Sequence, residues 1–284
     1  MIHLIGHKSA VRGLEFSPDG RTLASASLDS TVRLWDVQTQ VLRETLPSRF
    51  PAALCVTFSR QGDQLVAGYA NGGIQWWQLN DLAKPIWFRT HSETCLAIRC
   101  LRTDYFVSLG EREIQYHRFD DLSASQGSPT ELPERAVAMD LDSSASPIYV
   151  LLESGNIWSK HGRYVPGIVH GGRGDLKCYP RAGNVAMSSR NFLGYWSGVD
   201  GELPRTWRAH DAEVTQIALL PEGSGLLSAG LDGVVRSWDL DSLAERSAHD
   251  FGIGECFSIA VAPDGLTAAV GGLSDIVIWD VTGD

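Results

Sequence analysis

Long apolar runs are missing from this chain: no stretch approaches the ~20 residues that a membrane-spanning helix needs, so no spanning helix is expected. Its five cysteines are an odd number and contain no CxxC spacing, which supports neither a disulfide framework nor a zinc site. Neither the GxSxG turn of a serine hydrolase nor the GxxxxGK[ST] phosphate loop occurs, and Gly171-Gly172-Arg173-Gly174 lacks the spacing of the latter and reads as a turn. The opening MIHLIGHKSA has no basic start, apolar centre and small-residue cleavage site, so it does not read as a secretory signal. Basic residues are outnumbered 24 to 34, a net charge of -10, which argues against general nucleic-acid binding because the electrostatic footprint for phosphates is missing. The deficit is uneven, since residues 158–190 carry six basic residues and one acidic while residues 191–284 carry four and fifteen.

What the chain does have is a pattern that repeats. Residues 6–37, GHKSAVRGLEFSPDGRTLASASLDSTVRLWDV, hold three short apolar runs and the turns between them. Val11, Leu14 and Phe16 mark one run. Ser17-Pro18-Asp19-Gly20 is a turn, with proline fixing φ and glycine permitting φ > 0. Leu23, Ala24, Ala26 and Leu28 alternate with Ser25 and Ser27, Asp29-Ser30 turns again, and Val32, Leu34 and Val37 follow with a period of two, the spacing of strands. A weaker fourth run spans Val41 to Leu46. With Trp35 as the marker, equivalent positions fall at Trp77, His117, Lys160, Trp196, Trp238 and Trp279, at spacings of 36 to 43 residues, so seven copies fill the chain.

The GH, SPDG and ASASLDSTVRLWD segments, with Trp-Asp again at Trp238-Asp239 and Trp279-Asp280, resemble the WD40 repeat, whose unit is one four-stranded propeller blade. The resemblance is specific in the first and sixth copies, extends to CFSIAVAPDGLTAAVGG and IVIWDV in the seventh, is fair in the second, and rests mostly on spacing and strand patterning in copies three to five. It implies an all-β chain: a single seven-bladed β-propeller of four-stranded antiparallel blades occupying residues 1–284 as one domain. The five residues after Trp279 and the 35 that lead up to Trp35 make one further normal repeat. Ile2 to Ile5 are therefore expected to be the outer strand of the last blade, closing it against the strand that ends at Val281. Trp87 and Trp207, a few residues before His91 and His210, fall where outer strands should lie, and Asp120 to Pro133 reads as a polar connection.

In the family that the chain resembles, a His, a Ser or Thr, an Asp and a Trp of one blade form a buried hydrogen-bonded tetrad. The first copy matches with His7, Ser27, Asp29 and Trp35. The sixth keeps His210, Asp232 and Trp238 but has Gly230 at the serine position, so its tetrad is expected to be incomplete. In the seventh, His249 stands apart from the strand and Leu273 takes the aspartate position. A Ser, His and Asp together invite a hydrolase reading, but the repeat explains the trio and nothing surrounds the serine as a nucleophile needs. No catalytic residue, metal or cofactor is expected.

Resemblance also suggests where a partner would bind, on the loops leading into each first strand. Lys8, Arg12, Leu28, Leu54, Leu96, Thr215, Leu231 and Phe257 occupy those positions, an arginine among aliphatic residues that suits a peptide or protein partner. The basic residues Lys160, Arg163, Arg173, Lys177, Arg181 and Arg190 form either an acidic-partner edge or a solvated surface. The expected role is a non-catalytic protein-interaction scaffold or docking module, monomeric by itself and, with reduced cysteines, cytoplasmic. The alternatives are a propeller enzyme or small-molecule binder using the central channel, or a sensor domain trimmed from a larger signalling protein.

Overall fold

The computed structural model describes residues 1–102, 105–119, 128–141, 148–159, 164–165, 174–178, 184–196, 203–223 and 225–282. Of the residues singled out above, Lys160, Arg163, Arg173, Arg181, Gly171, Gly172 and positions 120–127 lie outside that set. The described residues contain no helix and form seven four-stranded antiparallel sheets, the blades of a seven-bladed β-propeller.

Blade 1 consists of Val11–Phe16, Thr22–Ser27, Thr31–Asp36 and Leu42–Pro47, and blade 2 of Ala53–Phe58, Gln64–Tyr69, Gly73–Gln78 and Asp81–Arg89. Blade 3 is built from Ala97–Arg102, Tyr105–Leu109, Glu113–Arg118 and Thr130–Glu131, and blade 4 from Ala136–Leu141, Ile148–Leu152, Ile157–Ser159 and Tyr164–Val165. Leu176–Cys178, Val185–Ser189, Phe192–Trp196 and Arg205–Arg208 make blade 5, while Val214–Leu219, Gly225–Gly230, Val234–Asp239 and Glu245–Asp250 make blade 6. Blade 7 takes Ser258–Val261, Thr267–Gly271 and Asp275–Asp280 from the end of the chain and Ile2–Ile5 from its beginning. Ile2 pairs with Ile278 and Ile5 with Asp275, which covers a strand edge that would otherwise be open to association. The chain divides into two compact units, Met1–Pro133 with Ala260–Asp284 and Glu134–Ile259.

Each strand face follows from the alternation in sequence. In blade 1, Leu14, Phe16, Leu23 and Trp35 pack against Ala260, Ala262, Ala269, Ile276 and Ile278 of blade 7. Ala24, Ala26, Val32 and Leu34, on the other face, pack against Val56, Phe58, Leu65 and Trp77 of blade 2. Large side chains thus meet small ones, which lets neighbouring sheets interdigitate at the density of a protein interior. The Ser17-Pro18-Asp19-Gly20 turn closes with the Gly20 N–H on Ser17 O at 2.8 Å, and Gly20 takes φ +70°, open to a residue without Cβ.

Strands buried on both faces must satisfy every polar group internally, and adjacent blades share that task. The N–H of Val11 donates to Gly272 O and that of Cys95 to Tyr69 O, both at 3.0 Å. Glu15 Oε1 accepts from Thr57 Oγ1 at 2.9 Å and from the Phe58 N–H at 3.0 Å. Within the second unit, Asp140 accepts from Cys178 N–H, Asp175 from Ile217 N–H and Gln216 Oε1 from Ile259 N–H. Glu15→Ala should therefore lower the stability of the first unit by about 1–3 kcal/mol, because it strands a buried backbone donor. Urea denaturation followed by tryptophan fluorescence would measure the loss.

Candidate functional site

The buried polar network of blade 1 is organised by Ser25. Its hydroxyl oxygen accepts the Trp35 Nε1–H at 2.9 Å and donates to His7 Nε2 at 2.7 Å. His7 Nδ1–H donates to Asp29 Oδ2 at 2.9 Å, the tautomer that the chain of partners requires. Ser27, the residue expected in this role, instead donates to Ser9 O and accepts the Asp29 N–H. Both serines alternate onto the same strand face, but the ladder pairs Leu23 with Trp35 and so brings the indole to Ser25. Asp29 also accepts from Lys8 N–H, Thr31 N–H and Thr31 Oγ1 at 2.9, 2.9 and 2.6 Å, which joins two loops through one carboxylate.

The same register corrects the reading of blade 6. Ser228, not the Gly230 position, supplies the hydroxyl: it lies 2.7 Å from His210 Nε2 and accepts the Trp238 Nε1–H at 2.9 Å. His210 Nδ1 faces Asp232 at 2.9 and 3.1 Å, and Arg236 Nη1 stands 2.6 Å from that nitrogen while pairing with Asp232 at 2.8 Å. The tetrad is complete, and Gly230 is where a Cβ would come within 2.4 Å of His210 Nδ1 and 2.6 Å of Asp232 Oδ1. His249 belongs to the outer strand of blade 6 and is not the seventh blade's counterpart of His7.

Blade 3, whose copy lacks the Trp marker, carries a variant of the network. Ser108 Oγ lies 2.8 Å from both His91 Nε2 and His117 Nε2, and His91 Nδ1 lies 2.8 Å from Glu113 Oε1. With His91 donating to the carboxylate, Ser108 donates to His91 and must accept from His117. An imidazole N–H thus replaces the indole N–H, and Glu113 replaces the aspartate. His117 stacks on Phe106 at 4.7 Å. Comparing Ser25, Ser108 and Ser228, which stand ten, nine and ten residues before their markers, was the signal that could have found the hydroxyl in all three copies.

Burial sets the charge state of these groups. It holds His7, His91 and His210 below the ordinary imidazole range, although the carboxylate beside each works the other way. Burial, with His91 adjacent, pushes His117 down to about 3. Burial would raise Asp29, but hydrogen bonds from Thr31, the Lys8 N–H and His7 outweigh it and hold the carboxyl well below the carboxylate range. Carboxylate, imidazole and hydroxyl are joined as in a catalytic triad, yet Ser25 and Ser228 are wholly buried and each oxygen is capped by an indole. These residues hold loops in place, and both hydroxyls are closed off from solvent.

The residues expected to face a partner divide between the units. In the first, Arg12 and Leu54 are the extra residues of β-bulges, where pairing skips from Val11 to Gly13 and from Ala53 to Cys55. A bulge turns a side chain out of the regular ladder. A Cβ on Gly13 would lie 3.0 Å from Leu54 O, so the two bulges stand on adjacent backbone. Lys8 and Leu28 are exposed, and Leu96 is half-buried just before Ala97–Arg102. In the second unit Thr215 is again the bulge residue, but its hydroxyl is committed to Ala229 O and Cys256 O at 3.0 and 2.8 Å. Leu231 and Phe257 are half-buried. Val137, the bulge residue of blade 4, occupies an equivalent place and was missed because its copy has little of the motif.

The family model described as "WD domain, G-beta repeat" matches residues 1–36 and 201–239, the segments that hold the Trp35 and Trp238 markers. The chain is a WD40-repeat protein. It is 37% identical over 92 residues to U3 small nucleolar RNA-associated protein 21 of Saccharomyces cerevisiae, covering 32% of this chain and 10% of that protein. It is 44% identical over 75 residues to Periodic tryptophan protein 2 homolog of Mus musculus, covering 26% and 8%. With Protein groucho of Drosophila melanogaster the identity is 35% over 89 residues, 31% and 11%. The matched segments thus span about a tenth of the length of these relatives.

The geometry explains why the WD40 signature is a Trp followed by an Asp. The indole enters the buried network, while the next carboxylate closes the turn to the outer strand: Asp36 accepts from the Thr39 N–H and pairs with Arg43, and Asp239 likewise accepts from Ser242 N–H and pairs with Arg246. The Thr39 and Arg43 donors bring the Asp36 carboxyl down to about 2.

Two outcomes follow for the WD40 tetrads. Ser228→Ala, which leaves Trp238 N–H and His210 Nε2 without their partner, should destabilise by about 2–3 kcal/mol, and Gly230→Ser should destabilise as well, since its Cβ would press on His210 and Asp232 of a network that is already complete. Thermal melts of both variants would show it. The folded histidines stay neutral while unfolded imidazoles protonate near pH 6.5, so this contribution to stability is full above pH 6.5 and is lost as pH falls, for His117 down to about 3. Urea titrations from pH 7 to 5 should show declining stability, with a shallower decline in His117→Gln by about one proton.

Proposed function

We propose that this WD40-repeat chain is a non-catalytic docking module that holds an extended peptide or protein segment on the loops entering the first strands. The observation that carries the reading is the pair of bulges on blades 1 and 2, which set Arg12 and Leu54 on adjacent backbone. Lys8 and Leu28 are on the two loops that Asp29 ties together, Lys8 through its own N–H. Arg12 is of a residue type enriched in protein-binding hot spots, and its rigid support lowers the entropic cost of association. The buried tetrads supply that support and offer no reacting group to a substrate. WD40 relatives are consistent with an interaction scaffold. The five cysteines, none in a disulfide, favour a reducing compartment such as the cytoplasm.

The double variant Arg12→Glu, Leu54→Asp tests this face. In an affinity purification with quantitative mass spectrometry, proteins enriched by the wild-type chain should fall at least about tenfold, equivalent to about 1.4 kcal/mol, with the melting temperature kept within a few degrees. Undiminished capture by a well-folded double variant would remove the assignment.

A further inference from the structure

Blades 2 and 3 bring two thiols together over a missing side chain. Cys55 lies opposite Gly68 in the antiparallel ladder, and Cys95 is fixed nearby by its N–H bond to Tyr69 O at 3.0 Å. A Cβ on Gly68 would lie 2.6 Å from Cys95 Sγ and 2.7 Å from Cys55 Sγ, so both sulfurs border one small space that only glycine leaves open. Cys55 Sγ points at the Cys95 carbonyl oxygen, 3.9 Å away. The remaining wall is apolar, with Ile98 Cδ1 3.1 Å from the same point. Cys178 and Cys256 belong to other blades, and Cys100 lies further along the first strand of blade 3.

We propose that Cys55 and Cys95 form a dithiol modification site, which a peroxide closes to a disulfide joining blades 2 and 3. Cys55 is the more accessible of the two, 8% exposed against 0%, and is the attacking sulfur. Its thiolate forms a bond to one peroxide oxygen, the O–O bond breaks, and the departing hydroxide takes up a proton as water, leaving a sulfenic acid on Cys55. Cys95 then attacks that sulfur: the S–S bond forms, the S–O bond breaks, and the leaving hydroxide combines with the Cys95 thiol proton as a second water. The two sulfurs lose two electrons, which the peroxide accepts. Cys95, wholly buried, is the resolving sulfur, reached from within the space at Gly68.

The bond has one consequence that rests on the docking reading above, although the bond itself does not. Leu54 precedes Cys55 and Leu96 follows Cys95, so closing the disulfide ties together the backbone beside two candidate contact residues. Oxidation would then alter the binding face of blades 2 and 3.

The test is to treat the folded chain with hydrogen peroxide, alkylate remaining thiols in denaturant and digest with trypsin without reductant. Arg49, Arg60, Arg89 and Arg99 release residues 50–60 and 90–99 as separate peptides, and the cut after Arg99 parts Cys95 from Cys100. The expected product is these two peptides joined and lighter by two hydrogens, with the thiol count down by two and restored by dithiothreitol. Cys55→Ala and Cys95→Ala should each abolish the product, and Cys100→Ala should leave it. An unchanged thiol count, a sulfinic acid on Cys55 with no linkage, or linkage through any other cysteine would overturn the proposal. Mapping on the wild-type chain decides the matter even where a cysteine variant misfolds.

Discussion

A hydroxyl buried between sheets is the constraint on which the rest depends. A blade that packs neighbours against both faces has no water to offer its polar groups, so each donor must find an acceptor within the stack. Ser25 solves this for blade 1 by accepting from Trp35 and donating to His7, whose other nitrogen reaches Asp29. The aspartate in turn holds the Lys8 and Thr31 backbone. A single oxygen in the interior thereby determines where two surface loops stand. Partial networks are costly at low dielectric, which is why blades 1, 3 and 6 each complete theirs with whatever donor the third strand provides.

Blade 3 shows that the requirement is for hydrogen-bond polarity and not for a residue name. An imidazole N–H at His117 does the work of an indole N–H, and Glu113 that of an aspartate. The exchange also makes stability sensitive to protons, since indole has no titration to lose and imidazole does. Blade 5 takes the opposite course. Met187 stands at the serine register and the buried Trp196 Nε1 has no partner among the described residues, so the indole is held there by apolar packing.

The candidate contact residues Arg12 and Leu54 stand on this frame where the ladder is interrupted. Regular pairing gives each side chain to one sheet face or the other, both covered by neighbours. A bulge supplies one extra residue, and that residue is Arg12 in blade 1 and Leu54 in blade 2. The same crowding of first strands brings Cys55 and Cys95 to the edge of the space at Gly68, so the candidate contact residues and the thiol pair are neighbours for one geometric reason.

Period-two alternation, the turn dipeptides and the spacing of the markers determined by themselves that the chain is built of strands and that it holds seven copies; four strands to a copy, and Ile2–Ile5 as the strand that completes the last, came with the resemblance to the WD40 repeat. Alternation and spacing are local or strictly periodic properties, and strand faces obey them residue by residue. The choice of Ser25 over Ser27, the completeness of the tetrad at Ser228 and the role of His117 were decided only by tertiary structure. Both serines satisfy the alternation; what separates them is which one the antiparallel register sets beside Trp35, and His117 becomes a donor only because Ser108 has already given its hydrogen to His91. The nearness of Cys55 and Cys95, forty residues apart, is likewise a property of packed blades, because only contact between sheets turns a repeat spacing into a distance.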